Sequence, residues 1–378
     1  DEIRSRGLGD VYKRQNLSYS DEQNMLREQV LKFCESDYTF DVREKIVESN
    51  YGHNPETWKQ FADLGWLAVP FSEENGGFNF GPIELAVIFE EFGKALVAEP
   101  YLANVVMSGS VLESSSNELA KQTISKIIDG TTQVSVAFSE ANNGYNFHDI
   151  ETSVDDGKLN GVKTVVLNAS FANSFLVYAK NGDKPVIYLV DAKAAGVSVN
   201  SFSTVDGQNC GDVTFENVEV GESLIISHDN DASQAINAML DLANLCICAE
   251  AVGGMTASYL KTVQYTKERE QFGQPISNFQ VLQHKMVDMF IEAEVSKSLL
   301  FKAMLQLDGK DDEASKTISG LKAQIGKSSR QVGQAAVQLH GGMGVSDEMS
   351  IGHYLKRFTV IDALFGNRNY HLNNFSNL

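Results

Sequence analysis

The chain has 378 residues, which is too long for one ordinary hydrophobic core and enough for two or three packed units. Hydrophobic residues make up 43% and charged residues 21% of the sequence, a balance typical of globular rather than disordered proteins. The formal net charge of −19 would repel phosphate backbones and anionic lipid, which argues against nucleic acids and membrane surfaces as partners.

The first residues and the cysteines narrow the class of protein further. Residues 1–15 have neither the apolar core of a secretory signal nor the periodicity of a helix or strand, so we interpret them as an extension outside the fold. We find no apolar run that approaches the length of a membrane-spanning helix. The cysteines lack metal-ligand spacing, which favours buried thiols in a reduced, cytoplasmic protein and predicts no metal site. They are Cys34, Cys210, Cys246 and Cys248.

Helical signals open the fold, in residues 16–132. Ser20 followed by Gln23 forms a capping-box pattern, and Asn54-Pro55 supplies a helix cap and a first helical residue. Apolar residues then recur at intervals of three and four, as on the buried face of a helix. The sequence therefore predicts an N-terminal helical domain in this part of the chain.

The periodicity changes at about residue 133. Val134, Val136 and Phe138 alternate with polar residues, as in a half-buried strand. Asn-Gly pairs and other turn signals then separate short runs rich in β-branched and aromatic residues. These runs are Lys163–Leu167, Phe175–Ala179, Val186–Val190 and Val213–Val220. They predict a small antiparallel β-domain over 133–222.

Helical composition returns near Ala232. Three long stretches lack internal proline and are rich in alanine, leucine, methionine and lysine, and a shorter stretch follows them. The four stretches cover about 232–269, 279–307, 312–340 and 346–364. Long helices with short links predict a C-terminal four-helix bundle over 223–378. The expected fold class is therefore α+β, with helical domains on both sides of a middle β-domain.

The most informative motif runs from Arg269 to Ile276, at a predicted helix end that is followed by a turn and a new helix start. An arginine beside the backbone amides of such a turn can bind a pyrophosphate through its charge and through the free donors of a helix terminus. A surface arginine that caps a helix end has the same pattern, and spacing alone favours that simpler interpretation.

A second motif, from Gln338 to Gly344, contains adjacent glycines. A Rossmann fingerprint must follow a strand, whereas this motif follows a long predicted helix, so it does not indicate a Rossmann fold. Adjacent glycines allow the backbone to approach a flat or anionic ligand closely. An ordinary helix C-terminal cap is the simpler alternative.

Together these two motifs resemble those of the acyl-CoA dehydrogenase family. The resemblance covers nearly everything from Ser20 to the end of the chain. It includes the segments 65–70, 73–77 and 217–220. The stretch from His353 to Gly366 is most similar to the small subunit of pimeloyl-CoA dehydrogenase.

The resemblance implies FAD as cofactor, bound across a subunit interface. One subunit holds the flavin ring against its β-domain, and the bundle of its neighbour holds the ADP half. The positions that match the ADP side are Arg269, Gln271, Phe272, Gln280, Gln338, Gly341 and Gly342. The implied partners are an acyl-CoA substrate, a homologous large subunit or a second copy of this chain, and an electron-transferring flavoprotein.

The family reaction, as the resemblance implies it, needs a glutamate that removes the α-proton of the acyl thioester while a hydride leaves the β-carbon. Most members place this glutamate near the C-terminus, where this chain has Phe365. A minority place it on the first bundle helix, where this chain has Ala243. Neither side chain accepts a proton.

Two nearby carboxylates are weak substitutes for the missing base. Asp241 lies two residues from Ala243, so helical rotation turns it away. Glu250 lies seven residues on, on roughly the same face of the helix but about 10 Å along its axis. A buried carboxylate with a partner is the favoured interpretation of Glu250.

The flavin-ring side also departs from the family pattern. Ser139 still offers a hydroxyl at the first ring motif, although the loop that follows it is altered. At the second ring motif the family presents an aromatic residue and, two residues later, a threonine or serine. This chain has Val165 and Leu167 there, so a stacking surface and a hydrogen-bond donor are missing.

These departures predict that the chain is the small subunit of a heteromeric acyl-CoA dehydrogenase, which completes the flavin site of a partner. An autonomous flavoenzyme with a displaced base, Glu250 or Asp241, is the first alternative. A non-catalytic scaffold that binds CoA thioesters or a partner is the second.

Overall fold

The computed structural model describes residues 19–48 and 52–377. The expected extension over 1–15 lies outside the described residues. The described chain forms helices, then a β-sheet, then longer helices, so the predicted α+β class is confirmed. A large hydrophobic core joins both sets of helices to one face of the sheet, and a smaller core lies on the other face.

The N-terminal helices follow their predicted caps. The Ser20 hydroxyl accepts the Gln23 backbone N–H at 3.2 Å, and the Gln23 side chain accepts the Ser20 backbone N–H at 2.9 Å, which completes the capping box. The Asn54 side chain caps the helix that begins at Pro55. The helices are α1 (Asp21–Ser36), α2 (Phe40–Glu48), α3 (Pro55–Asp63), α4 (Pro82–Ala95), α5 (Gly109–Glu113) and α6 (Glu118–Ile128), and a π-helix (Leu102–Ser108) leads into α5.

The middle region is an eight-stranded sheet with the order β6-β7-β3-β2-β4-β5-β8, and β1 also pairs with β4. The strands are β1 (Val134–Ala137), β2 (Ser153–Asp155), β3 (Lys158–Leu167), β4 (Ser174–Asn181), β5 (Lys184–Asp191), β6 (Val197–Ser203), β7 (Asn209–Glu219) and β8 (Ile225–His228). The predicted runs lie in β3, β4, β5 and β7. The sequence gives no signal for β6, because it is a mostly polar and exposed strand.

The sheet is mixed rather than purely antiparallel as expected. Both β1 and β2 pair with β4 in parallel, while the other pairings within this sheet are antiparallel. Alternating hydrophobicity identifies a strand but carries no information about its neighbour. Here β1 is followed by a long loop instead of a hairpin turn, so its partner lies further along the chain.

The C-terminal helices lie within a few residues of their predicted positions. They are α7 (Asp229–Glu268), α8 (Gln280–Asp308), α9 (Ala314–His340), α10 (Ser350–Ala363) and α11 (Arg368–Asn377), with a two-stranded hairpin of β9 (Glu270–Gln271) and β10 (Gln274–Pro275) between α7 and α8. The last helix, α11, extends beyond the predicted set and packs against α9.

One helix corrects the expectation that no apolar run is long enough to span a membrane. Residues 231–268 of α7 meet the length and hydropathy of such a span. However, 72% of the most apolar window is buried inside the protein, between α4, α8 and α9. The apolar character of α7 is therefore accounted for by its central position in the core.

Candidate functional site

The positions that the resemblance assigns to the reacting half of the site converge on one cavity. Ser139, Val165, Leu167 and Phe365 all line a cavity of about 450 Å³ where the sheet meets the end of α10. The loop after β1 forms one wall, the end of β3 a second, and the end of α10 a third. The family resemblance therefore grouped residues that come from distant parts of the chain and line one cavity.

The hydrogen-bonding groups at this cavity are largely used within the chain. The Tyr145 hydroxyl donates to the Ala363 carbonyl at 3.2 Å. At the mouth, the Thr164 backbone N–H donates to the Ser139 carbonyl at 2.9 Å, and the Val165 N–H donates to an Asp212 carboxylate oxygen at 3.0 Å. The cavity therefore presents mainly hydrocarbon to whatever enters it.

Phe365, at the position of the family base, lies in a turn held by two buried hydrogen-bond donors, Lys322 and His371. Its φ of +58° is rare for a non-glycine residue. The Lys322 ammonium donates to the Asp362 carbonyl at 3.2 Å and to the Gly366 carbonyl at 2.7 Å. The His371 Nε2–H donates to the Phe365 carbonyl at 3.2 Å. The turn thus holds a phenyl ring, which has no proton-accepting atom, against the cavity.

This turn should make the protein sensitive to acid. Burial, together with the nearby ammonium of Lys322, lowers the pKa of His371 from 6.5 to about 4. Below pH 6.5 the unfolded chain takes up a proton that the folded chain refuses, so stability is lost as the pH falls from 6.5 to 4. At 1.36 kcal/mol per pKa unit, we expect a loss of about 3 kcal/mol from this group.

The measurement is the free energy of unfolding at pH 7 and pH 4.5 for the wild type and for His371→Leu. The variant should show a smaller difference between the two pH values. The exposed His284 provides the control, since His284→Leu should keep the wild-type difference. An unchanged pH dependence in His371→Leu would contradict the expectation.

Glu250, the carboxylate weighed as a displaced base, is held by an arginine. Both of its oxygens accept from Arg357, at 2.6 Å from Nε and 2.7 Å from Nη2. Both side chains are about 5% exposed. A bidentate carboxylate–guanidinium pair engages both carboxylate oxygens, so neither is directed at a substrate. This geometry favours a structural carboxylate over a base.

The pair belongs to a larger buried cluster that joins all three regions. The remaining Arg357 nitrogen, Nη1, donates to Asp206 of the β-domain at 2.8 Å. Arg43 of α2 donates to the Asp206 carbonyl and to His353 Nδ1, each at 2.8 Å. Because Nδ1 accepts, Nε2 carries the proton and donates to the Asp347 carbonyl at 2.9 Å.

The other base positions also lie away from the cavity. Ala243 is fully buried in α7. The Asp241 carboxylate accepts the Ser315 hydroxyl at 2.5 Å, and burial raises its pKa. Among the described residues that line the cavity there is no aspartate, glutamate or histidine.

The two predicted nucleotide motifs meet at one end of the bundle, where α7 and α9 both terminate. Tyr265 of α7 stacks on His340 of α9 with ring centroids 4.3 Å apart. The predicted ADP-side residues are all solvent-exposed around this contact. They are Arg269, Gln271, Phe272, Gln280, Gln338, Gly341 and Gly342. Their exposure suits contact with a molecule or subunit outside this chain.

Phe272 is the most unusual member of this group. It occupies the tip of the β9–β10 hairpin with a φ of +55°, and Gly273 follows with a φ of +77°. Its side chain is 92% exposed. Within the chain its ring meets the edge of Phe279, with the centroids 6.1 Å apart, but most of its surface faces solvent. An exposed aromatic residue in a left-handed conformation is typical of an external contact.

The glycines of the second motif differ in whether the packing of the chain explains the absence of a side chain. A Cβ on Gly344 would lie 2.6 Å from the Val337 carbonyl oxygen, so internal packing demands a glycine there. A Cβ on Gly342 would meet nothing within 4 Å, and its φ is not positive. The absence of a side chain at Gly342 is therefore unexplained within the chain and fits close approach of a ligand.

A basic groove beside this end was not indicated by the sequence patterns. It has a volume of about 800 Å³ and includes Gln338. Four cations and two carboxylates line it: Lys285, Lys327, Arg330, Arg368, Asp288 and Asp362. The excess of positive charge is local, since the whole chain carries −19. The sequence feature that could have revealed this groove is a polar stripe on α9, which runs from Lys327 through Arg330 and Gln334 to Gln338.

Three family models match nearly the whole chain. The N-terminal, middle and C-terminal domain models of acyl-CoA dehydrogenases match residues 20–131, 135–218 and 233–377. The chain belongs to the acyl-CoA dehydrogenase family. Its members are oxidoreductases that act on CH–CH groups, and the chain is classed with them.

Relatives of known sequence or structure agree with this family. The probable acyl-CoA dehydrogenase YngJ of Bacillus subtilis is 29% identical, over 90% of this chain and 93% of YngJ. The ChsE4–ChsE5 complex from Mycobacterium tuberculosis matches with a TM-score of 0.87 and 22% identity, covering 96% of this chain and 98% of that chain. The structure of PigA with FAD and proline matches with a TM-score of 0.88 and 22% identity, covering 95% and 98%.

Proposed function

We propose that this chain is the small subunit of a heteromeric, FAD-dependent acyl-CoA dehydrogenase, similar in role to the small subunit of pimeloyl-CoA dehydrogenase. Its bundle holds the nucleotide half of an FAD whose ring lies in a homologous large subunit. One contrast carries the proposal: the exposed end around Gly342 fits a nucleotide, whereas the cavity at Val165 does not fit a flavin ring.

The nucleotide half fits the residues present. The exposed Arg269 provides charge for a pyrophosphate, and Phe272 provides an exposed aromatic surface for an adenine or a partner. The groove cations beside Gln338 attract a diphosphate despite the negative charge of the chain. Open space above Gly342 admits close backbone contact.

The cavity at Val165 does not offer the hydrogen-bonding groups that a flavin ring needs. FAD supplies the hydride acceptor of the family reaction, and its ring carries polar edge atoms that need hydrogen-bond partners when buried. At the cavity mouth the Thr164 and Val165 amides are already bonded to Ser139 and Asp212. Ser139 stands at the first ring motif of the family, and its hydroxyl is the donor that remains at that motif.

The absence of a suitable base supports the same assignment. Phe365 and Ala243 stand at the two family positions, and Arg357 holds Glu250. Asp241 does not line the cavity. These observations weigh against an autonomous enzyme with a displaced base. The partner subunit then supplies the glutamate and the ring contacts, and this chain contributes binding and charge.

A structural neighbour supports a two-protein assembly. ChsE4 and ChsE5 form a complex of two different proteins, and one chain of that complex superposes on nearly all of this chain. The proposed substrate is an acyl-CoA, and the proposed electron acceptor is an electron-transferring flavoprotein. The cytoplasmic location remains a prediction; the four cysteines are free and buried.

The proposal is tested by purifying the chain in two ways. In one the chain is alone, and in the other it is together with a homologous subunit that carries the glutamate and the aromatic–threonine pair. We expect the lone chain to contain no stoichiometric FAD by absorbance and to show no dehydrogenase activity. The complex should contain one FAD for each pair of subunits and should oxidise an acyl-CoA.

Two results would contradict this assignment. Stoichiometric FAD and activity in the lone chain would favour the autonomous enzyme. If the homologous subunit has the same FAD content and the same activity with and without this chain, the non-catalytic scaffold would be favoured.

A further inference from the structure

A mostly buried histidine joins the N-terminal helices to the loop that carries the second nucleotide motif. His353 lies on α10, and its side chain is 12% exposed. Arg43 of α2 donates to its Nδ1 at 2.8 Å, and its Nε2–H donates to the Asp347 carbonyl at 2.9 Å. We call residues 341–349 the motif loop, since they follow α9 and include Gly342 and Asp347.

This arrangement admits only the neutral form of His353. A guanidinium has donors and no acceptor, so the ring nitrogen that faces Arg43 must accept a hydrogen bond. A second proton on the ring would place an N–H and a positive charge against the guanidinium at 2.8 Å. Rotation of the ring away from Arg43 would also take the Nε2–H away from the Asp347 carbonyl, so both bonds would be lost together.

The surroundings of the ring also oppose protonation. Burial is the largest cause that lowers the pKa of His353 below the usual 6.5; the bond to the Asp347 carbonyl opposes it, and the charges of Arg43 and Lys356 lower the pKa further. The Asp347 carboxylate raises the pKa only weakly, since it lies 3.9 Å from Nε2 and is 80% exposed. Asp206, between β6 and β7, contacts Arg43 through its carbonyl. Because the folded chain resists the proton, the two bonds are present at neutral pH and are lost as the pH falls from 6.5 through the lowered pKa.

The motif loop depends on these bonds for its attachment to α10. Its apolar side chains do little to anchor it, because Met343 and Val345 are 47% and 74% exposed. Asp347 is joined to α10 by His353 through its carbonyl and by Lys356 through its carboxylate. The pair with Lys356 is exposed, so it contributes little. Loss of the bond to His353 should therefore loosen the loop.

We propose that His353 is an acid-sensitive clasp, which holds the motif loop in place near neutral pH and releases it when the ring takes up a proton. This inference rests on the proposed function in one respect, because the motif loop must contact the nucleotide. A loosened loop has to be ordered again when FAD binds, so the affinity for FAD falls with the fraction of loop that is in place. We expect FAD to bind about fivefold to tenfold more weakly at pH 5 than at pH 7.5, as for the loss of about one hydrogen bond.

Hydrogen exchange of the purified chain alone tests the clasp, through the backbone amides of residues 341–349 at pH 7.5 and pH 5. His353→Gln is the test variant, since a glutamine amide carries an acceptor and a donor and does not titrate. At pH 7.5 the wild type and this variant should exchange alike, and at pH 5 the wild type should exchange about fivefold faster. His353→Leu removes both bonds and should exchange fast at both pH values.

A histidine at the sheet provides the control for this measurement. His148 bonds Tyr178 and Asn237, both far from the motif loop in the chain. His148→Gln should therefore follow the wild type at each pH. Comparison of variants at the same pH removes the intrinsic pH dependence of hydrogen exchange.

The assembled heteromer, titrated with FAD at the same two pH values, tests the consequence for binding. The wild-type heteromer should lose affinity at pH 5 relative to the His353→Gln heteromer. Equal exchange rates of the wild type and His353→Gln at pH 5, or equal FAD affinities of the two heteromers, would overturn the inference. Neither result affects the proposed function, which instead fails if the heteromer contains no FAD at pH 7.5.

Discussion

Replacement of Arg357 by methionine is expected to destabilise the protein by about 3–5 kcal/mol, because it removes one side of a buried ion pair. The guanidinium is 6% exposed and satisfies both oxygens of Glu250 and one oxygen of Asp206. The variant leaves the buried Glu250 carboxylate without its bidentate partner. It also removes the Arg357 bond to the Asp206 carboxylate, while Arg43 bonds only the Asp206 carbonyl. Urea denaturation followed by the fluorescence of the buried Trp58 and Trp66 measures the loss.

The adjacent lysine is a matched control on the same helix. Lys356 pairs with Asp347 at 2.7 Å, but Asp347 is 80% exposed, and exposed pairs contribute at most about 1 kcal/mol. Lys356→Met should therefore shift the denaturation midpoint only slightly. A similar small shift for Arg357→Met would mean that water or neighbouring groups compensate the two carboxylates.

A substitution in the same cluster distinguishes a structural role of Glu250 from a catalytic role. Glu250→Gln keeps the shape of the side chain but removes its charge, so stability should fall. In the assembled enzyme, kcat per folded complex should stay close to that of the wild type. A loss of several orders of magnitude in kcat would restore the autonomous enzyme as the better interpretation.

Local signals in the sequence predicted much of the fold. The capping box at Ser20 and the asparagine–proline cap at Asn54 depend on residues within three positions of each other, so sequence alone fixes them. Strand pairing depends on residues far apart. The parallel pairing of Val134 with Ser174 therefore has no local signature, and the expected antiparallel arrangement was incomplete.

In the candidate site, too, the positions of motifs could be predicted from the sequence, whereas contacts between distant residues could not. Motif positions brought Ser139, Val165 and Phe365 into one hypothesis, and they line one cavity. The partner of Glu250 was not predicted, because Arg357 is 107 residues away along the chain. A signal did exist: Arg357 lies on the same helical stripe as the buried Tyr354 and Phe358, where an unpaired charge is not tolerated.

Substitution of Gly342 by leucine should release FAD from the assembled heteromer without unfolding this chain. A Cβ at this position meets nothing within 4 Å, so the new side chain is accommodated in the lone subunit. In the complex it would fill the space that we assign to the nucleotide. Overpacking of this kind costs about 1–3 kcal/mol, which corresponds to about 5-fold to 150-fold weaker FAD binding.

Gly221 provides the control for this effect. A Cβ there also meets nothing within 4 Å, and its φ of −125° is ordinary, yet it lies beside the sheet and not at the nucleotide end. Gly221→Leu should leave the FAD content of the complex unchanged. Both variants should show the denaturation midpoint of the wild type when they are purified alone. If Gly342→Leu retains FAD as tightly as Gly221→Leu, the open space above Gly342 faces solvent in the complex, and the nucleotide half of the proposed site lies elsewhere.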